Sequence, residues 1–381
     1  MITLKNVRAY LPHVGVVRAD IRIQGGIIDR VTQIDGDGGA SSLPDSAIVL
    51  PGFIDEHVHG AGGADAMDGS REAIETVSKT LAKEGTTAFL ATTMTQSREN
   101  ITKALSAIRE AREVGTCGAE VLGVHLEGPF ISPKFIGAQP PEHIQAPTRE
   151  AFDTYQAAAG GLIRLVSLAP EAVGADELIA YLSQNGVRAS AGHTAAGYAD
   201  MMQAVKRGLS CVTHTYNAQS PVHHREIGVV GTAMLCDTLC TELICDTIHV
   251  SLPAIALMLR NKPHDKVVLI TDAMRAKGLC DGVYDLGGQD VYVRGNEARL
   301  ANGALAGSVL RMNDAIRNLV LHLGVSLTDA VDFATINPAI HLGVDRERGS
   351  IEVGKRADLT VLDDDFNVLA TYVAGEVVYE K

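Results

Sequence analysis

His57 and His59 stand two residues apart in "HVHGAGG", and five residues of related chemistry recur down the chain: Glu127, His193, His214, His249 and Asp272. Side chains alternate along a strand with a period of two, so His57 and His59 share a face and can aim both rings at one point. A lone His-x-His leaves metal ligation and an ordinary strand equally open. Neutral imidazoles joined by a carboxylate form a donor set suited to a zinc- or iron-like divalent ion with one position left open. An aspartate beside such an ion can take a proton from water and hand it to a leaving group. Taken alone, Asp272 reads as a turn cap.

The elements that must position these residues form a repeating pattern. Eight apolar segments follow one another: "GFIDEHVHG", "TTAFLATT", "VLGVHLEG", "LIRLVSLAPE", "VRASAGHT", "SCVTHTYNA", "ELICDTIHV" and "VVLITDAM". Amphipathic helices separate most of them, such as "REAIETVSKTLAKEG" ending at Gly85 and "RENITKALSAIREAREVG" ending at Gly115. Strands alternating with helices predict a parallel sheet, and eight such units predict an α/β fold of the (β/α)8 TIM type. Such barrels keep their chemistry at the C-terminal ends of the strands, which is where the His, Glu and Asp residues fall. After Asp272 a Gly-punctuated stretch near 278–305 predicts β-hairpins inserted at the rim, ahead of the last barrel helix "VLRMNDAIRNLVLHLG". Residues 1–52 and 346–381 are β-rich and too short to stand alone, so they are expected to pair into a small β-sandwich flanking a barrel of 53–345.

Composition narrows the function. A chain of 381 residues, 46% hydrophobic and with 38 glycines, can bury a large core broken by tight turns. Its formal charge of −13 argues against nucleic acid or an anionic membrane as partner, and an anionic substrate would need a local positive site. No apolar run is long enough to cross a bilayer. Lys5 and Arg8 interrupt the N-terminus, so no signal peptide is visible and a cytoplasmic location is expected. Six cysteines then read as reduced thiols; Cys236, Cys240 and Cys245 lack the CxxC spacing of structural zinc.

The segments "PGFIDEHVHG", "HLEGPF", "AGHT", "HTYNA", "TDAM" and "LAGSVLRM", in this order, resemble the N-acetylglucosamine-6-phosphate deacetylase family of the amidohydrolase superfamily. The resemblance extends through "ATINPAIHLG" and "GSIEVGKRADLTVLD" and so covers essentially the whole chain. His-x-His and the final Asp mark only the superfamily, whereas "HLEGP" and "HTYNAQSPVHHRE" are more particular. The resemblance implies that Glu127, His193 and His214 hold a divalent transition metal, zinc or iron. It implies that His57 and His59 complete a second position, giving one or two ions per subunit, and that Asp272 is the catalytic acid–base. It further assigns Asn217, Ala218 and Arg225 to a phosphate, His249 to the sugar and acetyl region, and Ala138, Gln139, Leu305 and Ala306 to substrate contacts. Arg225 is expected to reach the neighbouring subunit's site in a homodimer. Some members carry a His where this chain has Gln139 in "GAQPPE", so any contact there is neutral at all pH.

The implied reaction is hydrolysis of the N-acetyl amide of an amino sugar phosphate to acetate and the free amine. The alternatives are deacetylation of the galactosamine epimer, a D-aminoacylase, dihydroorotase or hydantoinase type of amidohydrolase, or a noncatalytic scaffold. The fourth strand, ending "SLAPE", lacks the lysine that many two-metal relatives modify. His223 and His224 stay unassigned, and His125 is read as core support for Glu127.

Overall fold

The structure is a computed structural model and describes residues 1–35 and 38–381. All eight segments predicted as barrel strands are strands: Phe53–Val58, Thr86–Thr93, Glu120–Glu127, Ile163–Leu168, Arg188–Ala191, Leu209–Val212, Cys240–Ile244 and Val267–Ile270. They lie side by side in chain order and run parallel. The ring closes where Val58 bridges Ala273 in parallel and the Asp272 N–H donates to the His57 carbonyl at 2.8 Å. Thr86–Thr93 is buried at every position, as expected for a parallel strand covered on both faces.

The helices obey local signals. Ser70 and Ser97 accept backbone N–H groups at the starts of Arg71–Ala82 and Arg98–Val114, and Gly115 ends the latter. Gly324, in the left-handed region, stops Met312–Leu323.

The terminal segments join in one seven-stranded sheet. Ile48–Pro51 lies at its centre, between Ile2–Leu11 and Leu359–Leu362. Bulges in four of its strand pairs help it curl, and its edge strand Ile27–Gln33 meets the segment that leads into Leu359–Leu362, with Ile27 bridging Arg356 and the Ala357 N–H donating to the Gly26 carbonyl at 2.8 Å. Leu4, Ile21, Val49, Val361 and Ala370 fill the space between the two halves. The expected small β-sandwich thus takes the form of one folded-over sheet. The rim insertion is a three-stranded antiparallel sheet, Gly282–Leu286, Gln289–Arg294 and Glu297–Leu300, packed on Met94 and Met274 of the barrel.

Candidate active site

Five side chains from four barrel strands converge at the C-terminal mouth. Glu127 ends its strand with Oε1 at 3.2 Å from His193 Nε2 and 3.0 Å from His214 Nε2, and these two nitrogens are 3.2 Å apart. Its other oxygen, Oε2, lies 3.3 Å from His59 Nε2. His57 Nε2 is 3.5 Å from Glu127 Oε1 and, though fully buried, has no hydrogen-bond partner among the described residues. The His193 Nδ1–H donates to the Phe135 carbonyl at 3.0 Å, so a neutral His193 turns its lone pair toward His214. Nitrogen lone pairs crowded around a carboxylate repel unless a cation lies among them, and both the Glu127–His193–His214 and the His57–His59–Asp272 groups have ligand atoms close enough to share one. The donor set therefore fits a divalent transition metal.

The backbone bends sharply to aim these groups. His193, His214 and Asp272 lie just past their strand ends with φ of 48°, 29° and 47°, in the left-handed region that L-residues rarely occupy. Such strain persists where the surrounding structure over-determines it, typically at working sites. Gly128 shows why "HLEGP" needs glycine: its φ is +72° and an added Cβ would sit 2.1 Å from Thr95 Oγ1. Gly60 has the same role after His59, since a Cβ there would meet the Ala64 carbonyl at 2.4 Å.

Asp272 Oδ1 stands 3.2 Å from His59 Nε2 and 3.5 Å from His57 Nε2, so its carboxylate faces the metal-type groups and does not merely cap a turn. Burial would raise its pKa, but His57, His59 and His214 outweigh burial and hold it at about 2. A carboxylate favoured in its charged form can accept a proton. Burial likewise opposes charge on His57, while Asp272, Glu127 and Glu242 bring it to about 9: the surrounding carboxylates favour a positive charge at this point, whether a ring proton or a metal ion supplies it. His125 is pushed the other way, well below its usual range, by burial and by the neighbouring His57.

A cavity of about 390 Å3 opens above these groups, a size suited to a small molecule. Ala138, Gln139, Asn217, Ala218, His249 and Leu305 line it. His249 is not at a strand end, however. Its strand stops at Ile244, and Asp246 turns the chain by accepting the N–H groups of Ile248 and His249 at 2.8 Å while holding the ring at 2.6 Å. Ala306 is not brought to the cavity; it is fully buried under the insertion, with its N–H donated to Ala298. Arg225 is also outside the cavity, exposed on its loop beside His224 at 2.7 Å. Gln139 is turned toward Glu127: its amide donates to Oε2 at 2.7 Å and accepts from the Thr95 N–H at 2.7 Å.

The chain matches the amidohydrolase family over residues 48–378. It belongs to that family. It is 48% identical to the N-acetylglucosamine-6-phosphate deacetylase of Bacillus subtilis, over 88% of this chain and 86% of that one. It is 37% identical to the N-acetylgalactosamine-6-phosphate deacetylase of Escherichia coli O157:H7, over 94% of both. The solved N-acetyl-D-glucosamine-6-phosphate deacetylase of Mycobacterium smegmatis, a mutant in complex with N-acetyl-D-glucosamine-6-phosphate, superposes with a TM-score of 0.93 at 31% identity over 99% of both chains.

This amidohydrolase holds its candidate ligand residues through groups of which sequence reasoning singled out only His125. Glu242, on the seventh strand, places Oε2 3.0 Å from His57 Nδ1 and accepts the His214 N–H at 3.0 Å. Below it, His125, Ser167, Thr213 and Ser190 form a hydrogen-bonded column, with contacts of 2.7, 2.6 and 2.6 Å. Barrel interiors are more often filled by branched apolar side chains. Only the alternation of "CTELI" placed Glu242 inward, and nothing in the sequence paired it with His57. The amidohydrolase cavity also contains Arg299, from the insertion.

Proposed function

We propose that the chain hydrolyses the N-acetyl amide of N-acetylglucosamine 6-phosphate to glucosamine 6-phosphate and acetate. The observation that carries this reading is the grouping of Glu127, His193 and His214 with Asp272 in one cavity of about 390 Å3. A divalent ion held by these residues, with His57 and His59 offering a second position, would acidify water and polarise the acetyl carbonyl. Zinc or iron fits the nitrogen-rich donor set.

The chain's own residues supply the rest. Asp272 takes the proton of the attacking water and returns it to the departing amine. Gln139 pins one Glu127 oxygen and so orients the ligand carboxylate. With Nδ1 committed to Asp246, His249 leaves Nε2 for the sugar. The Ala218 N–H, which has no acceptor among the described residues, and the Asn217 amide are donors for the phosphate. Arg225, outside its own cavity, completes the site of a second subunit in a homodimer. The six free cysteines suit a reducing compartment, here read as the cytoplasm.

The galactosamine epimer is the second reading, favoured by the identity to the Escherichia coli relative. Types that depend on a modified lysine are disfavoured, because no lysine lines the cavity. The test is acetate release by metal-loaded protein from both epimers, each with and without the 6-phosphate. Efficient release from the phosphorylated glucosamine sugar is expected. Release from neither phosphorylated epimer would overturn the reading.

A further inference from the structure

A phosphate monoester brings close to two negative charges into a cavity whose floor already has Glu127 and Asp272. Among the described residues one side chain of the opposite permanent charge lines that cavity, Arg299, on the last strand of the rim insertion. Arg225 does not line it.

Arg299 is held in place on two sides. Its Nε–H donates to Glu297 Oε2 at 2.7 Å and its Nη1 to the Gly303 carbonyl at 2.8 Å, while Nη2 has no partner among the described residues. The insertion that bears it is fastened to the barrel loops: the Gln289 amide donates to the Ala138 carbonyl at 2.6 Å, and the Gln96 amide to the Gly287 carbonyl at 3.0 Å. Leu286, Val291 and Ala298 pack its underside on Met94 and Met274. The side chain keeps 41% of its surface exposed and, with Glu297 and Gly303, also borders a neighbouring surface depression, so the two contacts bias the guanidinium and leave an unspent N–H edge for a phosphate oxygen.

We infer that Arg299 is a phosphate-binding residue supplied by the same chain, so that the rim insertion helps select the phosphorylated sugar. This rests on the proposed reaction, and it gives the insertion a task beyond covering the site. Glu297 accepts the Arg299 Nε–H, a contact that the amide oxygen of a Gln at 297 can keep.

The test is steady-state kinetics on metal-loaded Arg299→Ala, Arg299→Lys and Glu297→Gln, with N-acetylglucosamine 6-phosphate and with N-acetylglucosamine. Calorimetric binding of glucose 6-phosphate serves as a readout independent of turnover. Loss of one charge-assisted contact predicts a KM for the phosphorylated sugar about 10–100-fold higher in Arg299→Ala. Turnover number, and KM for the unphosphorylated sugar, should stay near wild type. Glucose 6-phosphate should weaken by a similar factor, Arg299→Lys should recover part of the loss, and Glu297→Gln should not reproduce it.

Equal losses on both sugars, or a Glu297→Gln defect matching that of Arg299→Ala, would reduce Arg299 to a strut of the insertion and overturn the inference. So would unchanged glucose 6-phosphate binding. If wild type shows no preference for the phosphorylated sugar, the proposed reaction fails, and glucose 6-phosphate binding still decides the part of Arg299.

Discussion

Glu242 ties two metal-type histidines together: one of its oxygens, Oε2, meets the His57 ring and the His214 backbone, each at 3.0 Å. A carboxylate behind a ligating imidazole fixes ring orientation and raises basicity, and its loss typically costs about 10–100-fold in metal affinity. Glu242→Gln keeps the shape and loses the charge. Metal content after dialysis against graded chelator should show weaker retention of that order, with far-ultraviolet circular dichroism unchanged. Retention equal to wild type would make Glu242 a passive member of the barrel interior.

Removing the metal should abolish acetate release and adding zinc or iron should restore it, because the nucleophile depends on the ion. Elemental analysis of the purified protein is expected to find one or two divalent transition ions per chain. Undiminished turnover by demonstrably metal-free protein would end that mechanism.

Asp272→Asn is the cleanest probe of proton transfer. Asn tolerates the left-handed backbone that Asp272 occupies at φ 47°, so the change removes the proton acceptor without adding strain. Turnover should fall about a hundredfold or more, while affinity for the sugar phosphate changes far less. Near wild-type turnover would assign the acid–base step elsewhere.

Arg225 tests the assembly. Arg225→Ala should raise KM for the phosphorylated sugar and spare the unphosphorylated one. If Arg225 acts across a dimer, random reassembly of Arg225→Ala with Asp272→Asn puts both defects in one site of each hybrid and restores roughly a quarter of wild-type sites. Confirmed hybrids without recovery would place Arg225 within its own subunit.

Glu120 offers a stability test far from the chemistry. It begins the third barrel strand and meets Arg112, Arg356 at 2.6 Å and Arg348 at 3.3 Å. Burial would raise its pKa, but the three arginines prevail and lower it. A carboxylate depressed in the folded state stabilises above its unfolded pKa, and that contribution is lost as pH falls through the folded value. Glu120→Gln should therefore cost about 1–3 kcal/mol at pH 7. The gap to wild type in denaturant unfolding should close as the pH falls below about 4, near the unfolded carboxylate pKa. A gap that is flat with pH would show that the arginines act through packing alone.

The strands were legible in the sequence because a parallel strand buried on both faces must be continuously apolar, as in "TTAFLATT". The residues at the mouth were legible because polar groups ending such runs have no structural reason to be there. His249 was misplaced on its strand, since "ELICDTIHV" remains apolar enough to hide the turn that Asp246 makes. Gln139 lines the cavity and also serves Glu127, a second contact set by how a long loop returns and not by local pattern. Glu242 and Arg299 escaped for the same reason: their partners lie across the barrel or on an inserted sheet. Ala306 shows the converse, a residue of a particular motif whose side chain ends in the core.

The curled terminal sheet sets an order of events for the chain as it leaves the ribosome. Val49 pairs with Ala9 on one side and Val361 on the other, so the strand at the sheet's centre precedes the whole barrel while one neighbour follows it. At about 5–20 residues per second, that edge waits on the order of 15–60 seconds for its partner. Until then an apolar strand shows unpaired amides to any passing chain, a recognised hazard for edges. The last strands to be made act as a latch: they join the barrel's beginning to its end, and a chain stalled before Leu359 would leave the opening strands without a cover.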